Sequence, residues 1–62
     1  RKRMIIFEGD WILPKGSTRW YRVVEIAELD HVGISIEGKI RYIEAIDEKI
    51  LKVQSHEEFV AA

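Results

Sequence analysis

Two imidazoles, three serines and a few adjacent carboxylates are the groups in this chain with chemistry to offer, and their spacing argues against most of it. His31 and His56 stand 25 residues apart, and neither belongs to an H-x-x-x-H or H-E-x-x-H pattern. The chain has no cysteine, so a metal would have to draw its other ligands from scattered carboxylates. The expected roles are a turn histidine and a cap-region histidine, with no metal and no cofactor. Lys15-Gly16-Ser17-Thr18 has the residue types of a phosphate loop in the wrong order, because glycine follows lysine and an apolar run follows the loop. Ser17, Ser35 and Ser55 all lie outside a G-x-S-x-G elbow. Asp47/Glu48 and Glu57/Glu58 sit side by side in polar segments, as solvated charges do. A single small domain has little room to enclose and dry a pocket. A non-catalytic binding module is therefore expected and not an enzyme, unless several copies build a shared centre.

Binding chemistry is richer. "PKGSTRWYRVV" (14–24) sets Arg19 and Arg22 around the adjacent rings of Trp20 and Tyr21, beside a turn that carries Lys15. Residues 1–22 hold six basic side chains (Arg1, Lys2, Arg3, Lys15, Arg19, Arg22) against Glu8 and Asp10, an excess of +4. Residues 23–62 hold four basic against nine acidic, an excess of −5. The net charge of −1 thus hides a basic segment joined to an acidic one. Three origins stay open for Arg1–Arg3: a tag remnant, a processed end, or the continuation of a larger chain. A flexible or tag-derived segment is expected there.

Sixty-two residues make one domain at most, and a chain of that size buries only roughly 60% of its unfolded surface. Without disulfides, stability must come from a compact apolar core or from pairing with another copy or partner. Ile and Val dominate the apolar residues, which favours pleated sheet over helix. The chain contains no Asn and hence no N-glycosylation sequon. No apolar run approaches the ~20 residues that span a bilayer. A cytoplasmic setting without membrane association is expected.

The elements that must position these residues read as short strands. Apolar runs of four to eight residues recur between Gly, Pro, Asp and Ser. The first strand is predicted over Met4–Phe7, continuing through Glu8-Gly9-Asp10 to Trp11–Leu13, and Pro14 ends it. The second runs from Arg19 to about Glu28, and Glu28-Leu29-Asp30-His31 forms a turn. In the third, Val32, Ile34 and Ile36 alternate with Gly33, Ser35 and Glu37, so one face is buried. Glu37-Gly38 makes a tight hairpin into a fourth strand, Lys39 to about Ile43. "EAIDEK" (44–49) reads as a single 3₁₀-like turn with Ile46 tucked inward, and Ile50–Val53 as a fifth strand. Ser55-His56-Glu57-Glu58 matches the S-x-x-E capping box, so 55–62 can close as a helical turn.

This layout resembles the SH3-like small barrels, the broad group that includes Tudor-type modules and the C-terminal barrels of many integrases. The residues that carry the likeness are "EGDWI" (8–12), "YRVVEI" (21–26), "ISIEGKIRYI" (34–43) and "ILKV" (50–53). The resemblance covers most of the chain at the level of fold. It implies an all-β, five-stranded barrel of one domain, 1–62, that binds nucleic acid, peptides or modified side chains.

Strand parity assigns the faces. With Glu25 in water and Ile26 in the core, counting back by two puts Val24 and Arg22 inward and Val23 and Tyr21 outward. Arg22 then sits at the barrel mouth, and Trp20 becomes a lid over the barrel end. Asp10 in water and Ile12 in the core turn Trp11 outward or sideways. Arg41 and Glu44 cannot both face out on strict alternation, which predicts a bulge or strand end near Tyr42–Ile43. Two uses follow for Trp11, Tyr21, Lys15, Arg19, Arg22 and Arg1–Arg3. One is nucleic-acid (DNA) binding, with cations on phosphates and Tyr21 and Trp11 stacked on bases. The other is a protein-interaction or assembly module, with an exposed Trp11/Tyr21/Val23 patch docking a peptide or a second subunit.

Overall fold

A computed structural model describes residues 5–28, 30–46 and 48–61. Five strands are followed by a short helix: β1 (Trp11–Pro14), β2 (Tyr21–Glu28), β3 (His31–Ile36), β4 (Lys39–Glu44), β5 (Ile50–Gln54) and α1 (His56–Ala61). All strand pairs are antiparallel, in the order β4-β3-β2-β1-β5. The all-β expectation holds. The barrel does not, because β4 pairs only with β3 and β5 only with β1, leaving an open sheet. Lys39 and Arg41 lie directly across from Ile36 and Ile34 and so share the face that carries the core. Rolling that edge inward to close a barrel would strip water from two cations that have no ion-pair partner among the described residues, which is costly.

The predicted N-terminal strand is interrupted. Met4 lies outside the described residues, and Ile5–Phe7 is not in a strand. A turn replaces it: Asp10 N–H donates to the Phe7 carbonyl (3.1 Å), Phe7 N–H donates to Asp10 Oδ2 (2.9 Å), and Gly9 adopts φ 93°. The chain then joins the sheet, with Gly9 N–H donating to the Val23 carbonyl and Val23 N–H to the Asp10 carbonyl, both at 2.8 Å.

Local chemistry explains the other connections. Glu37 and Gly38 both have positive φ, 49° and 80°, as a two-residue hairpin of matched twist requires. The turn after β4 is closed by Lys49 N–H to the Ile46 carbonyl at 2.8 Å. It buries Ala45 more deeply than the half-buried Ile46; Asp47 lies outside the described residues, as does Leu29 of the β2–β3 turn. The capping box forms: Glu58 N–H donates to Ser55 Oγ (3.2 Å) and Ser55 N–H to Glu58 Oε2 (3.4 Å). Two acidic residues in the first turn of α1 also suit the positive end of the helix.

The core is small. Ile12, Val23, Val32, Ile34, Ala45 and Ile50 are buried, with Ile6, Tyr21, Ile36, Ile43 and Val53 packed against them. Val23 is fully buried and Arg22 exposed, which reverses the expected faces of residues 20–23. The reason is a bulge in β2. Val23 pairs with Ile34 but Glu25 pairs with Gly33, so Val24 is an extra residue; a second step follows between Ile26 and Glu28. Each extra residue inverts the alternation. Glu25 and Ile26 keep their outward and inward sides, although Ile26 remains 39% exposed. In β4, where a bulge or strand end was expected near Tyr42–Ile43, no bulge forms: the register is unbroken from Lys39 to Glu44, where the strand ends. Arg41 and Glu44 are both exposed because β4 is an edge strand. Among the described residues no helix is long and apolar enough to cross a membrane.

Candidate functional site

The β2 bulge divides the predicted surface between two sides of the sheet. Ile12 pairs with Tyr21 and Val53 on the core side, whereas Trp11 pairs with Arg22 and Gln54 on the other. Directly opposite residues share a face. Tyr21 therefore lies with the core, and Trp11 and Arg22 lie back to back with it.

On the Trp11 side the helix covers the sheet. Phe59 stacks on Trp11, with ring centroids 4.4 Å apart and planes 13° from parallel, and meets Trp20 edge-on at 5.4 Å and 61°. The Trp11 indole N–H donates to His56 Nδ1 at 3.3 Å. This leaves His56 in the cap region as expected, with its ring engaged by Trp11. Trp20 is structural, but its partner is the helix and not a barrel end. Arg22 is exposed beside this cluster, and Lys15 and Arg19 are exposed in the β1–β2 connection. Ser17 organises that connection: Arg19 N–H donates to Ser17 Oγ (3.1 Å), which donates to the Arg19 carbonyl (3.2 Å). Arg1, Lys2 and Arg3 lie outside the described residues.

On the core side the open sheet leaves a cleft of about 420 Å³. Pro14, Tyr21, Ile34, Ile36 and Ile43 form its apolar lining, with Ser17, Glu44 and Lys49 completing the wall. Lys49 is hydrogen-bonded and ion-paired with Glu44. That hydrogen bond, and then the charge, holds the Glu44 carboxyl below its ordinary range and raises the Lys49 ammonium. Farther out on the same face, Lys39 and Arg41 are exposed and form no ion pair among the described residues.

The reverse face of β3–β4 has its own feature. Gly33 is buried beneath Tyr42 and Ile40, which are 52% and 53% exposed. The Tyr42 hydroxyl reaches Glu25, at 3.2 Å from each carboxylate oxygen. This hydrogen bond, followed by burial and the Glu25 charge, raises the Tyr42 pKa.

Among the described residues no group of three or more His, Asp or Glu side chains is placed to hold a metal ion. Comparison with protein-family models, with curated proteins and with solved structures gives no match. Tyr21, expected on the outward face, lines this cleft from the core side, and the residues around it were not among those singled out from the sequence. The usable signals were the Val32/Ile34/Ile36 alternation and the tight hairpin, which together place Lys39 and Arg41 opposite Ile36 and Ile34.

Proposed function

We propose that this chain is a non-catalytic protein-interaction module that receives a peptide segment in the Tyr21–Ile34–Ile36–Ile43 cleft. The observation that carries the reading is the cleft itself. An open apolar concavity bounded by a turn and an ion pair has the size and chemistry of a ligand site. Ile40 and Tyr42 on the reverse face of β4, and Leu51 in β5, leave further exposed apolar surface on a protein with a small core. A cytoplasmic setting accords with the absence of cysteine and sequon in the sequence. The test is selection from a displayed peptide library, followed by affinity measurement on the protein and on an Ile36→Glu variant whose fold is verified by circular dichroism. Selected peptides should lose at least tenfold in affinity on the variant. Peptides that bind both proteins equally would contradict the reading.

One arrangement favours nucleic acid as a second reading: Arg22 stands across from Trp11, with Lys15 and Arg19 exposed along the chain. Against it, Phe59 already occupies one face of Trp11, and Tyr21 lies on the other side of the sheet. Titration of single- and double-stranded DNA at several salt concentrations separates the readings. Phosphate contacts must show affinity falling steeply with salt, and a salt-sensitive complex lost on Arg22→Ala would favour DNA.

A further inference from the structure

The sheet ends on β4, and the backbone there is available. Ala45 N–H donates to the Asp30 carbonyl at 2.6 Å, one step beyond the His31–Glu44 pair. Antiparallel ladders alternate bonded and non-bonded pairs. Val32–Ile43, Ile34–Arg41 and Ile36–Lys39 are then the bonded pairs. Ile40, Tyr42 and Glu44 turn their N–H and C=O groups away from β3, toward a side where the sheet has no further strand. The register along this edge has no bulge, and Ile40, Tyr42 and Glu44 are all exposed.

Side chains along the edge differ by face. On the cleft side stand Lys39 and Arg41, without ion-pair partners among the described residues, followed by half-buried Ile43. On the reverse side stand Ile40 and Tyr42, both largely apolar and exposed. We infer that β4 accepts an acidic, apolar extended segment of another protein as a sixth, antiparallel strand. This deepens the docking reading above and rests on it, since the guest residue across from Ile43 enters the cleft. Opposed residues share a face, so the guest needs an apolar residue across from Ile43, an aromatic or aliphatic one across from Tyr42, and another apolar one across from Ile40. Carboxylates belong across from Arg41 and Lys39. Read from its own N-terminus, the guest is apolar-apolar-acidic-apolar-acidic. Main-chain bonds supply affinity and the alternating side chains supply selection, as in other strand additions. A second copy fits less well. Pairing β4 with itself about Arg41 sets two guanidinium groups directly opposite, and pairing about Tyr42 leaves Lys39 and Arg41 without carboxylates.

The probe is the fluorescein-labelled peptide Gly-Val-Tyr-Glu-Val-Glu-Gly, with Gly-Val-Tyr-Lys-Val-Lys-Gly as its charge-swapped control. Binding is read by anisotropy, and amide hydrogen exchange of the Ile40, Tyr42 and Glu44 N–H groups is followed by NMR. The acidic peptide should bind more tightly, slow exchange at those three amides at least tenfold, and lose about tenfold in affinity on the K39E/R41E double variant. The lysine peptide should gain on that variant. Binding that leaves the three amides unprotected overturns strand addition while leaving cleft docking intact. Protection at β4 that Ile36→Glu does not weaken removes the cleft from the account instead. Protection that grows with protein concentration alone, matched by dimers in sedimentation, overturns the choice of partner.

Discussion

The Tyr42 hydroxyl contacts both carboxylate oxygens of Glu25 at 3.2 Å, with its ring lying over Gly33 in the strand between them. A glycine inside a strand ordinarily weakens it; here the missing side chain is the space through which β4 reaches β2. A Cβ on Gly33 would stand 2.9 Å from Ile40 Cγ2, 3.1 Å from Tyr42 Cε1 and 3.3 Å from Glu25 Cβ. Gly33→Ala is expected to destabilise the fold by about 1–3 kcal/mol through overpacking, measured as a lower denaturation midpoint in urea.

The same contact has a pH signature. The Tyr42 pKa is raised, first by the hydrogen bond to Glu25. A raised folded value means that the stabilisation is present below the ordinary tyrosine pKa and is lost as pH rises through the folded one. Glu25→Gln should bring the Tyr42 titration back toward the ordinary value. Near-ultraviolet absorbance titration, with Tyr42→Phe identifying the Tyr42 component, reads the shift.

At the cleft wall the sign is opposite for the carboxylate. Glu44 is lowered by its hydrogen bond and charge contact with Lys49. Its contribution is present above the ordinary carboxylate pKa and is lost as pH falls through the depressed one. Lys49→Gln should return Glu44 to the ordinary range in an NMR titration.

The helix is held by its cap and by the Phe59 stack. Ser55→Ala removes the oxygen that accepts from Glu58 N–H and should cost about 1 kcal/mol. Phe59→Ala uncovers Trp11 and Trp20. Tryptophan emission should shift to longer wavelength while the strand signal in circular dichroism persists.

Glu37 carries φ 49° at the β3–β4 hairpin, a conformation that asparagine adopts more readily. Glu37→Asn should stabilise the protein, seen as a higher melting temperature.

Much of this architecture is legible where the chemistry is local. The Val32/Ile34/Ile36 alternation, Glu37-Gly38 and the Ser55–Glu58 box each announce their element, and each forms. The faces of Tyr21, Arg22 and Val23 were not legible, because the extra residue at Val24 is visible only in its pairing with β3. Nor was the Phe59 cover of Trp11, which joins residues near opposite ends of the chain. Openness of the sheet was equally hidden. It depends on β4 and β5 not meeting, a long-range relationship that no local signal carries.

The most direct test of the interaction-module reading is methyl NMR of Ile34, Ile36 and Ile43 during titration with library-selected peptides. The account predicts saturable shifts at those three methyl sets, with the Trp11 indole signal unmoved. Shifts confined to Trp11 and Arg22, with the isoleucine methyls unchanged, would contradict it.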